Sequence, residues 1–175
     1  MTLPKGWKNE QKSSSTNEQK SSSTNEQKSS STNEQKTSMI SVDDKIVIQE
    51  LITKYNLAID NKNIDEWTNT WTDDGIWTTT FGEAKGKTEL KNMVNQITNE
   101  FAGGKRHVST NIIIEDASTN NMANAKSYLT VIEAQKAPEV VATGVYSDTL
   151  KKDGSGKWKF FQRKLDIDLV NESNK

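Results

Sequence analysis

The chain changes character at residue 38, and that break limits what can fold. Before it, Asn-Glu-Gln-Lys recurs at 9–12, 17–20, 25–28 and 33–36, with Ser-Ser-Ser-Thr between the copies. The eight-residue unit has no apolar side chain and adds one acid and one base each time. Nothing in it can be buried to offset the entropy of ordering. Nor does a unit offer a hydrophobic face on which the next could stack as a solenoid. Residues 1–38 are therefore expected to be a disordered, nearly neutral low-complexity tail, with a phosphorylated or partner-binding tail as the other reading. The fold must come from 39–175, about 137 residues, the usual size of one domain.

Composition then removes several classes of function. There is no cysteine, so disulfides and thiolate metal sites are excluded. A single histidine cannot build a histidine metal cluster, but it can move protons near neutral pH. The net charge of −1 gives no general attraction to nucleic acid or anionic membrane. The two arginines, Arg106 and Arg163, are too few for a phosphate-reading surface. No apolar run suggests a signal peptide or a membrane span. A cytoplasmic protein without metal or cofactor, binding neither nucleic acid nor membrane, is expected.

Periodicity supplies the order of elements. Ser41 or Asp43 can cap a helix reaching about Ile59, with Ile48, Leu51, Ile52, Tyr55, Ala58 and Ile59 in one apolar stripe. Asn63 and Glu66 suggest a capping box for a short second helix with Ile64, Trp67 and Trp71 inward. Asp73-Asp74-Gly75 reads as a turn, and Ile76 to Phe81 as a strand. A third helix follows Gly86, from about Lys87 to Phe101, and Gly103-Gly104 ends it. Strands are expected at about 106–116, 122–135, 139–151 and 157–168, joined as hairpins. Helices grouped on one side of a mostly antiparallel sheet make an α+β fold.

Four places in this order resemble the nuclear transport factor 2-like superfamily, specifically its SnoaL-like branch. They are Tyr55-Asn-Leu-Ala-Ile-Asp60 with Asp65-Glu66-Trp67 and Trp71 to Gly75; Gly86-Lys-Thr-Glu-Leu; Arg106-His107 through Asn111; and Gly144-Val-Tyr146-Ser-Asp148 with Gly156-Lys-Trp158 and Arg163. The resemblance covers nearly all of 39–170 and implies a bent sheet wrapped on three helices as a cone, a deep apolar pocket and a homodimer. Scytalone dehydratase-like and bile-acid dehydratase-like members use a tyrosine, an aspartate and a strand histidine. Here these match Tyr55, Asp60 and His107, with Arg163 matching a basic residue at the end of the last strand. Further polar residues on the third and fourth strands are expected from such sites. This chain offers only Tyr128, Thr130, Thr143 and Tyr146, without a second acid or histidine.

The residues can also be weighed without the family. Asp60 falls at a helix C-terminus, where an acid costs about 0.3–1 kcal/mol against the helix dipole, and it lies outside the apolar stripe. It reads either as a site residue or as a solvated turn acid. Strand alternation puts His107, Ser109, Asn111 and Ile113 on one face, suited to a pocket wall. Should Asp60 reach the imidazole, the pair forms an oriented base. Tyr55 serves core and site equally well. Trp77 and Phe81 share strand parity, so both can line the pocket, although packing is the simpler role for them and for Trp67 and Trp71. Asn111, Tyr128, Thr130 and Tyr146 are further substrate-facing candidates. Arg163 is expected to pair with Asp148 or another strand acid.

Two functions are kept. The first is a cofactor-independent enzyme of isomerase, cyclase or dehydratase type, moving protons on a small, mainly apolar carbonyl compound. The second is a non-catalytic small-molecule-binding domain of the same fold. An association domain working through the open sheet face ranks third.

Overall fold

The structure, a computed structural model, describes residues 39–100 and 104–170. The expected 1–38 tail, Phe101 and Gly103 lie outside the described residues. Helix α1 (Val42–Asp60) opens at Ser41, whose hydroxyl accepts from the Asp44 N–H at 3.0 Å. Helix α2 (Ile64–Asn69) opens at Asn63, whose side chain accepts from the Glu66 N–H and donates to its carboxylate. Strands β1 (Trp71–Thr79) and β2 (Gly82–Lys85) precede helix α3 (Gly86–Glu100). Four long strands follow: β3 (Lys105–Asp116), β4 (Met122–Glu133), β5 (Val140–Lys152) and β6 (Trp158–Val170).

The six strands form one curled, open sheet in the order β2-β1-β6-β5-β4-β3. Every pairing is antiparallel except β1 with β6. The inner face is set by alternation. Along β4, Ala123, Ala125, Ser127, Leu129, Val131 and Glu133 point in, and the intervening residues point out. The apolar stripe of α1 packs on this face together with Trp67, Leu90 and Val94 from α2 and α3. A second apolar cluster, Leu129, Val131, Val141, Tyr146 and Leu165, covers the far half of the inner face.

Three local readings are corrected. Asp73-Asp74-Gly75 makes no chain reversal. It lies inside β1 as an irregularity, where the register to β6 jumps between Trp71 and Ile76. A wide bulge accommodates turn-forming residues without ending a strand. A Cβ at Gly75 would stand 2.9 Å from the Trp71 ring, so only glycine lets the backbone approach so closely. Trp71 consequently belongs to β1, not to α2. The run from Ile76 does not continue to Phe81, because the chain leaves β1 after Thr79 and reverses into β2.

The first turn of α1 is fastened to the sheet by Asp44. Its Oδ1 accepts from the Trp158 indole at 2.7 Å and from Lys152 at 2.9 Å. Partial burial alone would raise its pKa. The bonds from Lys152, Trp158 and Ser41 outweigh that effect and bring it down to about 2. A depressed folded-state pKa contributes stability that is complete above the ordinary value of 3.8 and is lost as pH falls through about 2. Asp44→Asn is therefore expected to lower the urea midpoint near neutral pH, with the gap to wild type closing between pH 3.8 and about 2.

Candidate active site

The inner face carries one buried ion pair at its centre. Arg163 on β6 donates through Nε and Nη2 to the two oxygens of Asp148 on β5, both at 2.7 Å. The two residues are direct cross-strand partners, and both side chains are fully buried. The guanidinium carbon lies 4.3, 3.8 and 4.2 Å from the ring centroids of Tyr55, Tyr146 and Phe160. Around them Trp67, Trp71 and Trp77 close an aromatic cluster with centroid separations of 5.2–6.4 Å. Removing either member of such a pair leaves an uncompensated buried charge, at a cost of about 3–5 kcal/mol. Arg163 thus has the ion-pair role expected of it.

Tyr55 is wholly buried, and its hydroxyl lies beside Arg163 and Trp67 without a well-formed hydrogen bond to either. Burial raises its phenol pKa above the ordinary 10, against the opposing charge of Arg163. Tyr146 is raised well above 10, by burial first and then by Tyr55. Both phenols therefore stay protonated and can only be hydrogen-bonding groups, not bases.

A separate polar strip runs where α1 crosses β3. Asn56 and Asp60 lie four residues apart on the helix, a rise of about 6 Å. Ser109 and His107 lie two apart on the strand, about 6.7 Å. The two spacings nearly match, so the side chains meet in two rungs. His107 Nδ1 stands 2.6 Å from Asp60 Oδ1, and the His107 backbone N–H donates to both carboxylate oxygens at 3.1 Å. Asn56 Nδ2 donates to Ser109 Oγ at 2.9 Å. The Asp60 and His107 side chains are 5% and 11% exposed, at the edge of solvent. An ionised carboxylate can only accept, so with a neutral ring this contact calls for the proton on Nδ1 and the lone pair on Nε2.

Not every candidate joins this region. A bulge in β3 sets two residues, Asn111 and Ile112, against Ser127 of β4, between the pairs Thr110–Tyr128 and Ile113–Lys126, and Asn111 takes a left-handed conformation (φ 53°). Asparagine tolerates that conformation better than most residues. The extra residue reverses the alternation beyond Ser109, so Asn111 and Ile113 face outward while Ile112 and Ile114 face in. Tyr128 and Thr130 sit on the outer positions of β4, and Tyr128 is 53% exposed. Phe81, in the reversal between β1 and β2, is 64% exposed. Asn111, Tyr128, Thr130 and Phe81 are thereby corrected as lining of the inner site. Trp77 does face inward, beside Tyr55 at 6.5 Å between centroids.

Asn56 was hidden in the sequence by its place next to the apolar stripe. The signal that could have found it is the i,i+4 pair of polar residues, Asn56 and Asp60, on one side of a helix that is otherwise inward-facing. A groove of about 730 Å³ lies elsewhere, on the outer face of the sheet among Thr78, Asn124, Lys126, Thr149, Gln162 and Lys164. The Asp60–His107 and Asn56–Ser109 contacts lie apart from this groove, on the inner face. Among the described residues, no three His, Cys, Asp or Glu side chains converge as metal ligands, and no helix is long and apolar enough to cross a membrane.

The tautomer can be read directly. ¹⁵N shifts of the single imidazole in its neutral form are expected to show a protonated Nδ1 and an unprotonated Nε2. In Asp60→Asn that preference should weaken; its persistence unchanged would mean that Asp60 does not set the tautomer.

Comparison with known proteins places the fold. A search of curated proteins found no match to the sequence. A protein of unknown function with a cystatin-like fold from Nostoc punctiforme is 30% identical, with a TM-score of 0.69 over 74% of this chain and 94% of that one. A candidate scytalone dehydratase from Novosphingobium aromaticivorans is 22% identical, with a TM-score of 0.65 over 75% and 88% of the two chains. ActVI-ORFA from Streptomyces coelicolor is 19% identical, with a TM-score of 0.65 over 71% and 97%. The last two likenesses concern the fold alone. Residues 41–164 match the model of the SnoaL-like domain, and with that match the chain belongs to the SnoaL-like domain family of the nuclear transport factor 2-like superfamily.

Proposed function

We propose that this domain is a cofactor-independent general acid/base enzyme acting on a small carbonyl compound, of isomerase, cyclase or dehydratase type. The 2.6 Å contact between His107 Nδ1 and Asp60 carries the reading. It leaves Nε2 as a base whose tautomer and orientation are held by a carboxylate. In this mechanism Nε2 takes the proton next to a carbonyl. Asp60 stabilises the imidazolium, and His107 returns the proton at another carbon or to a leaving oxygen. Tyr55, protonated and without a formed partner, would donate to the enolate oxygen. The aromatic walls from Trp77 and Tyr146 supply the apolar surround. The candidate scytalone dehydratase of the same fold agrees with this reaction class.

A panel of aryl and cyclic ketones in D₂O tests the mechanism by NMR of their α-protons. Wild type should accelerate exchange for at least one ketone, and His107→Ala should lose about 10²–10⁴ of that acceleration. Asp60→Asn should lose less, because the imidazole remains. Full exchange by His107→Ala would end the mechanism. A bound ketone that never exchanges would instead favour the alternative, a small-molecule-binding domain. The lack of a second acid or histidine beside His107 and Asp60, among the described residues, supports that second reading.

The outer sheet face is read as the surface of a homodimer. It exposes Val108, Ile113 and Tyr128 on adjacent positions of β3 and β4. Sedimentation of the full chain should give a dimer, and Tyr128→Glu should shift it toward monomer.

A further inference from the structure

The Asp60–His107 contact uses half of the α1–β3 ladder; the other rung is a hydrogen-bonding pair left incomplete. Asn56 Nδ2 is spent on Ser109 Oγ, but Asn56 Oδ1 is buried without a partner among the described residues. Ser109 receives that bond on its oxygen, so its own proton remains to be given. On β4, Ser127 is 1% exposed and its hydroxyl also lacks a partner. Buried polar atoms are ordinarily satisfied, so Asn56 Oδ1, left over like Tyr55 Oη and Arg163 Nη1 among the described residues, invites explanation by something it binds.

The chemistry that completes the rung is specific. An acceptor (Asn56 Oδ1) beside a donor (Ser109 O–H) is matched by one group that both donates and accepts, as a substrate hydroxyl does. A carbonyl would leave Oδ1 unanswered, and an ammonium would leave the serine proton unanswered. The rung lies one helical turn from the dyad, about 6 Å along α1. We propose that Asn56 and Ser109 are specificity-determining residues that select a carbonyl substrate bearing a hydroxyl about one helical turn from the carbon deprotonated by His107. The inference rests on the proposed role of the Asp60–His107 pair for its orientation, but recognition of the hydroxyl needs no turnover.

The test uses acetophenone and 4-hydroxyacetophenone, a pair differing only in a hydroxyl para to the acetyl group. Their affinities for the full chain are read from shifts of the His107 ring signals. Wild type is expected to bind the hydroxylated ketone at least about tenfold more tightly, the effect of a hydrogen-bonding group matched by both partners. Asn56→Leu, close in volume, should erase the preference by weakening the hydroxyketone while sparing acetophenone. A residue that merely tied α1 to β3 would affect both ketones alike. Ser109→Ala, which removes only a hydroxyl, should also reduce the preference and serves if Asn56→Leu does not fold. Equal affinities in wild type, binding of neither ketone, or a preference that survives both substitutions overturns the proposal. Because affinity is measured without exchange, failure of the deuterium experiment and failure of this one are distinct results.

Discussion

A guanidinium buried in the middle of the sheet is the constraint on which the site depends. Arg163 cannot stay there unpaired, so Asp148 must occupy the facing position on β5. The remaining faces of the cation are covered by Tyr55, Tyr146 and Phe160, whose electron-rich rings attract it. Tyr55 comes from α1, and its seat on Arg163 fixes the rotation of that helix. With Tyr55 pointing at the cation, the next residue round the helix and its i+4 companion, Asn56 and Asp60, turn toward β3. The dyad is thus aligned by a pair that does not belong to it.

That arrangement divides the inner face by chemistry. One apolar cluster lies under the helices, and another covers the far half of the sheet. Polar groups run between and beside them: Asp148 and Arg163 deep in the structure, Ser127 next, then Asn56 with Ser109 and Asp60 with His107 nearer the edge. Depth separates their roles. The deep pair has its charges matched and is suited to holding shape, with Arg163 Nη1 left over, and Asn56 Oδ1 also keeps unused hydrogen-bonding capacity.

The outer face obeys different physics. Its positions alternate with those of the core, so every residue that leaves the inner face through a bulge or a turn arrives there. Asn111 and Ile113 reach it through the bulge and Tyr128 and Thr130 by plain alternation, and a groove of about 730 Å³ on this face is lined by Ile113 with Asn124, Lys126, Gln162 and Lys164. The Asp60–His107 contact lies on the other side of the strands from this groove.

How far the sequence reached follows from the range of the forces involved. Local signals placed α1, α2 and α3 and the four long strands to within a few residues, since caps, apolar periodicity and glycines act over one or two turns of chain. The strongest local strings, with the lone histidine among them, also carried the family and the pairing of Asp60 with His107. What failed was decided by partners far along the chain. The Asp73-Asp74-Gly75 signal became a bulge because β6 lies alongside β1, and the one-residue bulge at Asn111 reversed the faces of β3. Asn56 was illegible for the same reason: a polar residue beside an apolar stripe acquires meaning only when Ser109 arrives opposite it. The sequence by itself determined the elements, their order and the chemistry available. Only the tertiary structure decided which side chains meet, because facing, unlike propensity, depends on the register between strands and the rotation of a helix on a sheet.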